Sequence, residues 1–204
     1  MTDGFLSKAY STREADGVRR LYDDWAATYE AEISENGYAT PGRCAVALAQ
    51  YVTDKAAPVL DFGCGTGLSG LALKLAGFET IDGVDVSADM LDRAREKNIY
   101  RTLTAINADD DLPAAPGQYN AIAAIGVIGA SAAPASSIDD IMHALGPGGF
   151  FVLSLNDHAL ADRIYEAKLC EWIDCGAAHL LFRENGPHLP GINMNANVYV
   201  IEKA

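Results

Sequence analysis

The stretch Val59-Leu60-Asp61-Phe62-Gly63-Cys64-Gly65-Thr66-Gly67-Leu68 decides how this chain is read. A short apolar strand runs into a loop with glycine at alternate positions. A helical pattern follows from Leu68 to Ala76, and Gly77 stops it. Gly63 and Gly65 allow a tight turn and close approach of the backbone to a ligand. The unpaired N–H groups of the helix start point back to the same place. A strand, a glycine loop and a helix in this order open a doubly wound α/β domain, where ligands sit at the carboxyl ends of the strands.

Strands and helices alternate onward from this point. Thr80–Val86 reads as the second strand, with Ser87 as the N-cap of a helix over Ala88–Lys97. Leu103–Ile106 and Tyr119–Ile125 are the third and fourth strands. The fourth is almost wholly apolar, as a central parallel strand covered on both faces should be. A helix starts at Ser137 and ends before Gly146. Phe150–Leu155 is the fifth strand, and one helix is predicted over Ala159–Trp172. His179–Arg183 and Asn197–Ile201 leave no room for a crossover helix and form an antiparallel pair at the sheet edge. Upstream, apolar residues from Val18 to Ile33 recur at helical spacing, giving a helix over Glu14–Ile33 that Asn36-Gly37 ends. Pro41 opens a second helix, to about Tyr51.

At 204 residues the chain is one domain, 1–204, with an N-terminal helical lid over 1–52 and an α/β core over 57–204. Half the residues are apolar, enough for a packed core. Lys+Arg 15 against Asp+Glu 28 leaves a net charge of −13, which argues against general binding to nucleic acid or anionic membranes. No apolar run reaches the ~18 residues of a membrane span, and the N-terminus lacks the apolar centre of a signal peptide. The expected location is cytoplasmic, with Cys44, Cys64, Cys170 and Cys175 as reduced thiols. Cys170 and Cys175 have no second ligand pair nearby, so no metal is expected.

Two details separate the glycine loop from a dinucleotide fingerprint. G-x-G-x-x-G counted from Gly63 needs its third glycine at position 68, which is Leu68. Asp61 at the strand tip is a poor neighbour for pyrophosphate and a good one for a ligand ammonium. Asp85, ending the second strand, can accept both hydroxyls of a ribose. After the third strand, Asn107, Ala108 and Asp109 can address an adenine, with the rest of the aspartate run solvated. Ile125-Gly126-Val127-Ile128 walls the pocket. Tyr22, Trp25 and Tyr29 share one helix face and are expected to cap it, where an aromatic wall attracts a cation.

These residues resemble the class I S-adenosylmethionine-dependent methyltransferases. The matching blocks are VLDFGCGTG at 59–67, GVDVSADML at 83–91, LP at 112–113, YNAIAAIGVI at 119–128 and LGPGGFFVL at 145–153. YDDWAATYE at 22–30 looks like the start of the small-molecule branch. The chain is similar to the methyltransferase-like proteins of the Williams–Beuren-region type. The resemblance implies a Rossmann-like sheet of seven strands, mostly parallel with the last antiparallel, and S-adenosylmethionine as cofactor. Asp61, Gly63, Gly65, Asp85 and Asp109 or its neighbours would hold it, with Cys64, Thr66, Gly67, Val86, Met90, Ala108 and Ile125 completing the contacts. Many relatives carry a histidine pair where this chain has Gly129-Ala130, so a general base there is missing. His158, after the fifth strand, is the candidate that remains. No N/D-P-P-Y/F block follows the fourth strand, unlike the base-flipping amino methyltransferases. The expected function is methyl transfer to a small molecule. The alternatives are a cofactor-binding module without catalysis and a nicotinamide-dependent oxidoreductase.

Overall fold

The computed structural model describes residues 17, 20, 23, 25, 28–108, 110–130 and 132–204. Seven strands form one sheet: β1 (Val59–Phe62), β2 (Ile81–Asp85), β3 (Thr102–Ala105), β4 (Ala121–Ala124), β5 (Phe150–Asn156), β6 (Ala178–Leu189) and β7 (Met194–Lys203). Their order is β3-β2-β1-β4-β5-β7-β6. β1 to β5 run parallel, and β7 lies antiparallel between β5 and β6. The order reverses between β1 and β4, which opens a crevice at their carboxyl ends.

β4, Ala121-Ile122-Ala123-Ala124, is buried throughout. Ile122 and Ala124 face one core with Leu60, Ile138, Ile141, Phe151 and Leu153. Ala121 and Ala123 face the other, with Leu48, Val59, Leu73, Ile81 and Val152. Alternate residues point to opposite faces of a strand, so a strand between two helical layers must be apolar throughout.

The helices are α1 (Tyr29–Glu35), α2 (Thr40–Ala49), α3 (Leu68–Leu75), α4 (Ala88–Glu96), α5 (Ser137–Ala144), α6 (Asp157–Ala161) and α7 (Arg163–Asp174). Ser87 caps α4 as expected, accepting a hydrogen bond from Met90 N at 3.1 Å. Two boundaries differ from expectation. The single helix over Ala159–Trp172 is two. Asn156 caps α6 and Asp162 caps α7, and Asp162 adopts an extended backbone to do so. A capping side chain offers the backbone an alternative to continuing the helix. The helix expected over Glu14–Ile33 is also interrupted. Gly17, Arg20, Asp23 and Trp25 are helical, but Thr28 is a turn before α1 begins.

The edge hairpin is longer than expected. β6 and β7 pair over most of their lengths, with register shifts at Leu180/Phe182 and at Pro187/Leu189. The second shift leaves His188 unpaired in a bulge, its side chain buried against Thr40. Among the described residues, no helix is long and apolar enough to cross a membrane.

Candidate active site

A cavity of about 440 Å³ lies over the carboxyl ends of β1, β2 and β4. That volume falls within the range of small-ligand pockets. Gly63, Cys64, Gly65 and Thr66 form its floor; Asp85, Val86 and Met90 come from the β2 end, and Asn107 and Ala108 from the β3 end. Ile125, Gly126 and Val127 follow from β4, whereas Ile128 turns into the core.

The glycines make this shape possible. Gly63 has φ +69°, and a Cβ there would stand 2.3 Å from Val127 Cγ2 on the opposite wall. Gly65 has φ +52° and open space where its Cβ would be, so a ligand can approach its backbone. Gly67 begins α3 with φ 93° and packs against Tyr100 and Ala94, outside the cavity lining.

Asp85 is fixed by two backbone donors. Its Oδ2 accepts from Gly65 N at 2.8 Å and its Oδ1 from Ser87 N at 2.9 Å. Burial nonetheless raises its pKa, and those amides work against the rise. Asp61 stands behind the wall rather than in it, with no exposed surface. Its Oδ2 accepts from Ser69 Oγ at 2.6 Å and from Tyr100 Oη at 2.7 Å. Its Oδ1 and the Thr66 Oγ1 are buried and, among the described residues, have no hydrogen-bond partner. Burial pushes the Asp61 carboxyl up to about 6, against the Ser69 and Tyr100 hydrogen bonds. Cys64 is raised too, by burial and by Asp61 and Asp85 beside it, so it stays a neutral thiol at pH 7.

Of the expected aromatic cap, Tyr29 lines the cavity and Trp25 does not. Trp25 is 2% exposed, packed with Ile33, Leu189 and Met194, its ring edge-on to Tyr29 at 4.7 Å. Trp25 is apolar and large enough to serve the small core beneath α1, and that core takes it. Tyr22 and Asp109 lie outside the described residues. His158 stands exposed in the first turn of α6 and is not among the lining residues.

Sequence reasoning missed Tyr38 and Ser69 in the cavity wall, and Tyr100 behind it. The Tyr38 hydroxyl lies over Gly126, where a Cβ would stand 2.2 Å from it. Asp110, taken as solvated loop, lines the cavity and accepts from both Asn107 N and Asn107 Nδ2 at 2.9 Å. The described lining includes Asp85, Asp110 and Asp140 and no lysine, arginine or histidine. Such a pocket favours a cation and would leave a pyrophosphate without a counter-charge. A carboxylate beside a glycine loop, two unsatisfied buried oxygens and acidic walls fit the sulfonium and ammonium of S-adenosylmethionine.

Residues 59–149 match the family model described as a methyltransferase domain. The chain is similar to the class I S-adenosylmethionine-dependent methyltransferase family. It is 30% identical over 151 residues to methyltransferase-like protein 27 of Homo sapiens, covering 70% of this chain and 61% of that protein. The chain thus spans less than two thirds of that curated relative's length. Its fold is shared with the [4+2]-cyclase SpnF, at a TM-score of 0.70, 17% identity and coverage of 93% and 96%. A TehB-like methyltransferase from Corynebacterium glutamicum gives 0.64, 18% identity and coverage of 91% and 100%. The methyl donor of this family is S-adenosylmethionine.

Proposed function

We propose that this chain is a methyltransferase acting on a small molecule, uncharged or cationic, in the cytoplasm. The observation that supports it is the acidic lining over the glycine loop, which among the described residues holds no lysine or arginine. The net charge of −13 makes a nucleic-acid acceptor unfavourable. When bound, the cofactor supplies a methyl group already activated on a sulfonium. The chain's residues then need to orient and dehydrate more than to activate. On this reading Asp85 takes the ribose hydroxyls and Asn107 and Ala108 the adenine, while the unpartnered Oδ1 of Asp61, buried behind the wall, answers the charge of the ammonium. Tyr29 and Tyr38 exclude water from above, with α1 as part of the lid, whereas α2 of the proposed 1–52 lid packs into the core. Proton acceptors on the described wall are the carboxylates Asp85, Asp110 and Asp140, since His158 stands apart.

The fold also carries chemistry other than methyl transfer, so the test must separate binding from turnover. Calorimetry should show S-adenosylhomocysteine binding and no heat from NAD. Formation of S-adenosylhomocysteine from S-adenosylmethionine should then rise on adding a small-molecule cell extract. Stimulation by RNA or protein fractions alone would overturn the small-molecule reading. Binding without stimulation by any fraction would identify a cofactor-binding module.

A further inference from the structure

Tyr100 sits on the crossover between α4 and β3, far in sequence from the glycine loop, yet its ring fills a notch made by three glycines. A Cβ at Gly70 would stand 2.3 Å from its hydroxyl, one at Gly83 3.0 Å from Cε1, and one at Gly67 3.2 Å from Cε2. The hydroxyl donates to Asp61 Oδ2 at 2.7 Å and accepts from Gly70 N at 3.2 Å. Ser69 donates to the same carboxylate oxygen. Oδ2 is therefore satisfied from within the protein and Oδ1 is not.

We propose that Tyr100 is a positioning residue for the cofactor: with Ser69 it holds the Asp61 carboxylate ionised and in one orientation, leaving the buried Oδ1 as the acceptor without a protein partner. This rests on the reading of Asp61 as the partner of the cofactor's ammonium. Two short hydrogen bonds to one oxygen favour the ionised form and fix the carboxylate plane. The titratable groups facing Asp61 are Cys64 from the loop, Asp85 from β2 and Tyr100 itself, and the Asp85 charge opposes ionisation.

Tyr100→Phe keeps the ring in its notch and removes only the hydroxyl. Calorimetric titration with S-adenosylhomocysteine from pH 5 to 8 reads the effect. For the wild type, affinity should fall as pH drops through about 6. In Tyr100→Phe that fall should begin about one pH unit higher, giving roughly tenfold weaker binding near pH 6 and a small change at pH 8. A merely structural role would weaken binding equally at every pH. On an Asp61→Asn background, Tyr100→Phe should have no further effect. Ser69→Ala, which removes the other donor, should move the curve the same way and carries the test if Tyr100→Phe does not fold. A curve superimposable on wild type, or a uniform loss that persists on the Asp61→Asn background, overturns the proposal. Absence of S-adenosylhomocysteine binding by the wild type would instead overturn the cofactor reading beneath it.

Discussion

Single atoms set the shape of the cavity over the glycine loop. Asp85 is the clearest test, because its carboxylate accepts from Gly65 N and Ser87 N and stands in the cavity wall. Asp85→Ala should weaken S-adenosylhomocysteine binding ten- to hundredfold, from roughly 1.5–3 kcal/mol of lost charged hydrogen bonds, with the fold retained. An unchanged dissociation constant would reduce Asp85 to a loop brace. The glycines give a sharper contrast. Gly63→Ala drives a methyl group into Val127 at 2.3 Å across the cavity, so binding should be lost. Gly65→Ala meets no atom within 4 Å and carries only the strain of φ +52°. It should lower stability by about 1 kcal/mol and leave measurable binding. Equal calorimetric losses in both variants would show that loop strain, and not steric closure, governs the site.

At the scale of elements, the N-terminal segment meets the core at named points. Ser87 donates to Asp23 at 2.5 Å, and Lys97 pairs with Glu30 of α1. Ser87 flanks α4 at its start, next to the β2 end that carries Asp85, and Lys97 flanks its other end. Trp25 and Ile33 add a small apolar core of their own against Leu189 and Met194. An element that opens for ligand exchange has to be weakly held, and this core is small enough for that. Amide exchange in Tyr29–Glu35 should slow when S-adenosylhomocysteine is bound. Lys97→Ala should speed it roughly two- to fivefold in the free protein, the worth of a partly exposed ion pair. Exchange that is slow throughout, and indifferent to both changes, would make α1 fixed scaffold.

For the whole molecule, acid stability is the informative measurement. His188 is 5% exposed in the β6 bulge, its Nδ1 2.7 Å from Thr40 Oγ1 and its ring edge-on to Tyr38. Burial holds its pKa at about 4, below the usual 6.5; the Asp157 charge opposes that shift, and Arg43 and His158 add to it. A histidine whose folded pKa is depressed contributes stability above its unfolded pKa and loses it as pH falls towards the folded one. The window is therefore pH 6.5 down to 4, with about 2 kcal/mol gone by pH 5. Asp61, with its raised pKa, works in the opposite direction over an overlapping range. The comparison to make is therefore wild type against His188→Leu. The wild type should lose several degrees of melting temperature more than the variant between pH 7 and 5. Parallel losses would mean that His188 does not govern acid unfolding.

The sequence by itself determined the succession of the parallel strands, the glycine loop, Asp85 at the β2 tip and the Ser87 cap. Each is written in a local pattern: alternate glycines, an apolar run, a capping residue after a strand. The same patterns pointed to the family and its cofactor. Local pattern could not tell which aromatic faces the ligand. Trp25 and Tyr29 lie on one helical stripe, but a turn at Thr28 separates them, and a small core claims the indole. Tyr38 and Tyr100 carry no motif at all. Each reaches the site from a turn or crossover, because glycines distant in sequence leave room for its ring or hydroxyl: Gly126 for Tyr38, and Gly67, Gly70 and Gly83 for Tyr100. The tertiary structure alone decided these contacts, since steric room is created where separate segments meet and not within any one of them.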